Sequence, residues 1–84
     1  MPKFLDYHAN MPQLPPEVAQ QLAATVRAGQ ADEFGVKPLN VYMGTGGSAH
    51  CLTEAPSADA VAKSHVAKGF PLDASAVTEV MSLV

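Results

Sequence analysis

A chain of 84 residues has room for one domain, spanning 1–84, and its core is small enough that a metal, a covalent staple or a second copy is expected to supplement it. Apolar side chains make up 48% of the sequence and charged ones 15%, which excludes a disordered or wholly solvated polypeptide. Five Lys and Arg against eight Asp and Glu, with no basic run, argue against a nucleic-acid partner, and no stretch approaches the ~18 apolar residues that a membrane span requires.

Lys3-Phe4-Leu5-Asp6-Tyr7-His8 is short and aromatic-rich, and the turn-forming Asn10-Met11-Pro12 closes it, so residues 3–8 read as a strand. The acid at position 6 precludes an apolar signal segment, and the chain is expected to begin where the sequence does and to remain cytoplasmic. A single cysteine, Cys51, has no internal disulfide partner and suits that reducing compartment. Pro15-Pro16-Glu17 opens a helix, since proline fits the first turn and a carboxylate there meets the positive end of the dipole. Val18, Leu22 and Val26, with Ala19 and Ala23 beside them, form its apolar stripe; the helix is expected to pass Gly29 and end at a left-handed cap on Gly35.

Leu39, Val41 and Met43 alternate with Asn40 and Tyr42, which predicts a strand over 37–43. Gly44-Thr45-Gly46-Gly47-Ser48 then reads as a hairpin connection. A phosphate-binding loop would lead into a helix, whereas this one leads into a second alternating segment, 49–55. Ser57 caps a second helix that runs to about Lys68 and ends at Gly69, and the β-branched segment 77–84 predicts a last strand. Strand, helix, strand, strand, helix, strand is the ferredoxin-like βαββαβ order of an α+β protein. Right-handed crossovers place its four-stranded antiparallel sheet in the order 4-1-3-2 with two helices on one face. The other face is left bare, and a homodimer through that open sheet face, a dimeric α/β-barrel-like assembly, is expected to cover it.

Alternation puts Phe4, Asp6 and His8 on one face of the first strand. The small set Ala49, Cys51 and Thr53 suits the space beneath a helix, which leaves His50, Leu52 and Glu54 on the bare face. Placing Phe4, Asp6 and His8 on that bare face as well brings Asp6, His8 and His50 together in a chamber between two sheets. Imidazole and carboxylate there suit nickel, zinc, copper or iron; the alternative is that all three are ordinary strand or loop-edge side chains. His65 shares a helical stripe with Ala58, Val61 and Ala62 and faces the sheet, either as a core imidazole bonded to a carbonyl or as a ligand. Cys51 is either a small buried hydrophobe or, beside a metal, a thiolate ligand. No nucleophilic triad can be read, and Asp6 and Glu54, an available acid–base pair, fall towards opposite ends of adjacent strands.

At Cys51-Leu52-Thr53-Glu54-Ala55-Pro56-Ser57-Ala58-Asp59-Ala60-Val61, followed by His65, Gly69, Pro71, Asp73 and Glu79-Val80, the chain resembles a family of small bacterial proteins catalogued as a domain of unknown function, one group of which is described as nickel-binding. The likeness extends to Phe4-Leu5-Asp6-x-His8 and Gly35-Val36 and covers most of the chain. It implies a ferredoxin-like dimer that binds nickel or another divalent transition metal, with Asp6, His8, Cys51, Glu54 and His65 at the matching positions; His50 is added from strand geometry. Tyr42-Met43 with its glycine-rich turn, and the extra residues around Asp73-Ala74-Ser75-Ala76, depart from that pattern. The resulting expectation is a cytoplasmic metal-binding protein for storage, buffering or sensing rather than an enzyme. The alternative is a cofactor-independent enzyme or small-molecule binder using the cavity of a dimeric barrel.

Overall fold

The computed structural model describes residues 1–10 and 14–83. Its elements are β1 (Lys3–His8), α1 (Pro16–Ala28), β2 (Lys37–Met43), β3 (Ala49–Glu54), α2 (Ala58–Ala67) and β4 (Val77–Val80), with a 3₁₀ turn at Ala74–Ala76 leading into β4. Met11 and Pro12 of the expected turn, and Val84 at the end of the expected last strand, lie outside the described residues.

Helix α1 begins with Pro16 in its first turn and stops at Gly29, whose φ of 65° is left-handed and whose N–H reaches the Val26 carbonyl at 3.2 Å. The expected continuation to Gly35 does not form. Glycine takes the left-handed cap without a β-carbon penalty, and the following segment has a competing use for its amides: the Asp32 carboxylate accepts the N–H groups of Phe34 and Val36 at 2.9 and 3.0 Å. Helix α2 is capped by the Ser57 hydroxyl, which accepts the Ala60 N–H at 3.1 Å. Strand β4 is shorter than predicted because β1, its one neighbour among the described residues, starts at Lys3, opposite Val80, and offers no strand for later residues to pair with.

The strands are all antiparallel in the spatial order β2-β3-β1-β4, which is the expected 4-1-3-2 read from the other edge. Strands β2 and β4 are free edges among the described residues, so the sheet is open. This corrects the barrel-like dimeric assembly expected from the sequence: the architecture is an open sheet with helices packed on it within one chain.

The register of β1 against β3 brings a second correction. Asp6 is opposite Cys51, His8 opposite Ala49 and Phe4 opposite Thr53, and directly opposed residues project to the same face. Phe4, Asp6 and His8 therefore lie beneath the helices with Ala49, Cys51 and Thr53, and all of these are buried. Leu5 and Tyr7 share the open face with His50, Leu52 and Glu54. A bulge between Pro38 and Asn40 restores the phase of β2, so that Val41 and Met43 fall on the helix side opposite Cys51 and Ala49.

The core consists of Phe4, Val36, Ala55 and Val61, with Phe34, Ala58, Ala60, Leu72 and Val77 packed against it, and sits beneath α2. Helix α1 buries no residue fully. Its stripe of Ala19, Leu22, Ala23 and Val26 instead faces Leu39, Val41 and Met43 across a cleft of about 360 Å³. No described helix is long and apolar enough to cross a membrane.

Candidate metal centre

Alternation along β1 delivers Asp6 and His8 to the underside of α2, β3 brings Cys51 opposite Asp6, and α2 lowers His65 onto them. One donor atom from each of these side chains lies within 4.8 Å of every other. Asp6 is the centre of the group: its Oδ1 is 2.8 Å from His8 Nε2 and 3.6 Å from His65 Nε2. The two imidazoles lean on each other with centroids 5.3 Å apart and planes inclined by 31°.

Hydrogen bonding inside this group is deficient in a specific way. Asp6 has no exposed surface, yet neither of its carboxylate oxygens makes a well-formed hydrogen bond, and neither does His8 Nε2 despite its 2.8 Å approach to Oδ1; the Cys51 thiol beside the carboxylate is a weak donor. Buried polar groups normally find partners, and a buried carboxylate without them is costly unless a cation offsets its charge. His65 shows the complementary arrangement. Its Nδ1 is 2.8 Å from the Val61 carbonyl, which can only accept, so Nδ1 donates there and Nε2 is the ring nitrogen turned towards Asp6. Metal-binding histidines are characteristically oriented by such a bond from the second ring nitrogen to a carbonyl. Burial, and then the Asp6 charge, push the Cys51 thiol up to about 12, so without a cation it is a protonated, unreactive group.

A second network fixes the height of α2. Ser64, buried one residue before His65, donates a hydrogen bond to the Asp32 carboxylate, and Lys68 Nζ reaches Asp32 Oδ2 at 3.2 Å and Ser64 Oγ at 3.1 Å. Burial alone would raise the Asp32 carboxyl; the bonds from Ser64, Val36, Phe34 and Lys68 outweigh it and hold the group below its ordinary value. Asp32 thereby ties the turn after α1 to the helix that carries His65.

Of the residues singled out in the sequence, the structure brings together Asp6, His8, Cys51 and His65. It does not bring His50 or Glu54 to them. His50 is on the open face, its ring 4.7 Å from that of Tyr7, and Glu54 is on the same face at the far end of β3. The proposed convergence of His50 with Asp6 and His8 is therefore corrected: the register sends them to opposite sides of the sheet. Sequence reasoning missed Asp32, Ser64 and Lys68. The Asp32-x-x-Gly35 spacing is the available signal for a carboxylate-capped turn, but nothing local points from it to Ser64. The cluster of carboxylate, imidazole and thiol groups is suited to a divalent metal ion.

No family model matches the sequence, and no curated protein matches it either. Among solved structures, the crystal structure of SCO4226 from Streptomyces coelicolor A3(2) is similar, with 28% sequence identity and a TM-score of 0.70 over 98% of this chain and 99% of that one. The fold and the chain length it occupies are thus those of a small protein with a ferredoxin-like architecture resembling SCO4226.

Proposed function

We propose that the protein binds a divalent transition metal between β1, β3 and α2, with nickel the foremost candidate, and serves in storage, buffering or sensing of that metal. The observation that carries this reading is the fully buried Asp6 carboxylate, neither oxygen in a well-formed hydrogen bond, facing the Nε2 atoms of two imidazoles. A cation at that point would satisfy all of these atoms at once and would convert the Cys51 thiol to a thiolate ligand. Nitrogen, oxygen and sulfur donors in one set suit nickel, copper or zinc better than magnesium or calcium. Nickel is placed first on the sequence resemblance around Cys51-Leu52-Thr53-Glu54-Ala55-Pro56.

The test is metal analysis and calorimetric titration of protein purified without a histidine tag, on the unmodified chain and on Asp6→Ala, His8→Ala and His65→Ala. The expected result is one nickel ion per site, lost in each variant while circular dichroism shows the fold retained. Full stoichiometry in all three folded variants would sink the proposal.

A further inference from the structure

A cavity of about 160 Å³ opens directly onto the metal centre. His8, Cys51 and His65 line it, so three of the four donor residues face this space, and the buried Asp6 lies beside them without lining it. The other walls are largely apolar, with Leu22, Val36, Val41 and Phe70 among them. Polar residues interrupt them at Thr25, Asn40, Thr53, Ser64 and Lys68. Of these, Thr53 is buried with an Oγ1 that has no hydrogen-bond partner, and Lys68 stands at the rim with its ammonium bonded to Asp32 and Ser64. The cavity also shares Leu22, Asn40 and Val41 with the larger cleft of about 360 Å³ beneath α1, so the two spaces adjoin.

These features fit an amphipathic occupant better than water. Water needs two to four polar partners, which apolar walls do not supply over such a volume. A divalent ion held by the donor cluster would offer a carboxylate a coordination position, and the unpaired Thr53 hydroxyl would offer it a hydrogen bond, whereas Lys68 at the rim is already engaged by Asp32 and Ser64. We infer that the site takes a small organic acid, whose carboxylate completes the coordination of the metal and whose alkyl body extends past Leu22 and Val41 into the cleft between α1 and β2. This inference rests on the metal-binding reading of the same residues and adds the class of ligand that accompanies the ion. It also accounts for α1: a helix with no fully buried residue, held away from the sheet over its own apolar stripe, leaves room for a chain of methylene groups.

Cobalt(II) is the probe ion, because its visible bands report changes in its ligands. The loaded protein is titrated with octanoate and, separately, with acetate. The expected result is a saturable shift of the cobalt bands by octanoate at a concentration at least about tenfold lower than acetate requires, since methylene burial adds to a shared carboxylate contact. In Leu22→Trp, which fills the space common to cavity and cleft, the octanoate effect should be lost while cobalt stoichiometry is unchanged. Cobalt uptake with bands unmoved by octanoate, or with octanoate and acetate equivalent, would overturn the inference and leave the metal site standing. Failure to take up cobalt at all would overturn both. The comparison of the two acids on the unmodified chain decides the question even if Leu22→Trp does not fold.

Discussion

His65 Nε2, carried by α2, stands 3.6 Å from Asp6 Oδ1, carried by β1. No backbone hydrogen bond joins a helix to the sheet beneath it, so this approach is set by packing of α2 on the core and by the Asp32–Ser64–Lys68 network at its end. The buried carboxylate and the imidazole nitrogen face each other without a well-formed hydrogen bond between them, an arrangement that a divalent ion would complete.

Asp6→Asn separates binding from folding. The amide keeps the shape and removes the buried charge, so the metal-free variant should unfold at the same or a higher urea concentration than the unmodified protein, while nickel affinity falls by at least about a hundredfold. Denaturation curves with and without nickel check this: the unmodified protein should gain stability with added nickel and the variant should not.

His50→Ala and Glu54→Ala should leave nickel stoichiometry and affinity unchanged, because both side chains lie across the sheet from the donor cluster. Calorimetric titration is the check. A substantial loss of affinity in either variant would show that these residues reach the ion by a route the single-chain geometry does not provide.

The Cys51 thiol gives a pH signature of its own. Its pKa is raised from 9.0 to about 12 in the folded protein, so between these values the unfolded chain has released a proton that the native state retains. The native state is therefore favoured fully below pH 9 and loses this contribution as the pH climbs from about 9 towards about 12. Urea midpoints across that alkaline range should fall in the metal-free protein, and the part of the fall due to the thiol should vanish in Cys51→Ala. At neutral pH, nickel binding through the thiolate should release a proton, measurable as a buffer-dependent binding enthalpy.

Asp32→Ala removes the acceptor for two backbone amides, the Ser64 hydroxyl and the Lys68 ammonium. The expected cost is about 2 kcal/mol of stability, read from urea denaturation. Because Asp32 titrates below its ordinary 3.8 in the folded protein, its contribution is present above that value and is lost as the pH drops through it towards the lowered folded pKa. The variant should accordingly show a shallower acid limb. Nickel affinity should fall as well, since α2 would no longer be held at the height that brings His65 to Asp6.

Local chemistry was sufficient to read the element order. Alternation marked β1 and β2 at their observed bounds, Ser57 marked the start of α2, and the glycine-rich segment after Met43 marked the hairpin. All of these depend on residues close in the chain, and the same is true of the shared face of Asp6 and His8 on β1, a consequence of the two-residue period of a strand. Only the tertiary structure decided which neighbours that face would meet. A period of two leaves the phase between adjacent strands undetermined, and shifting the register by one residue exchanges every partner across the sheet. The observed register seats Asp6 opposite Cys51 instead of beside His50, turns the donor set under α2, and encloses it within one chain. Packing made that choice because Phe4, which shares the face of Asp6 and His8, belongs to the apolar core with Val36, Ala55 and Val61, and burying that ring carries the carboxylate and imidazole inward with it.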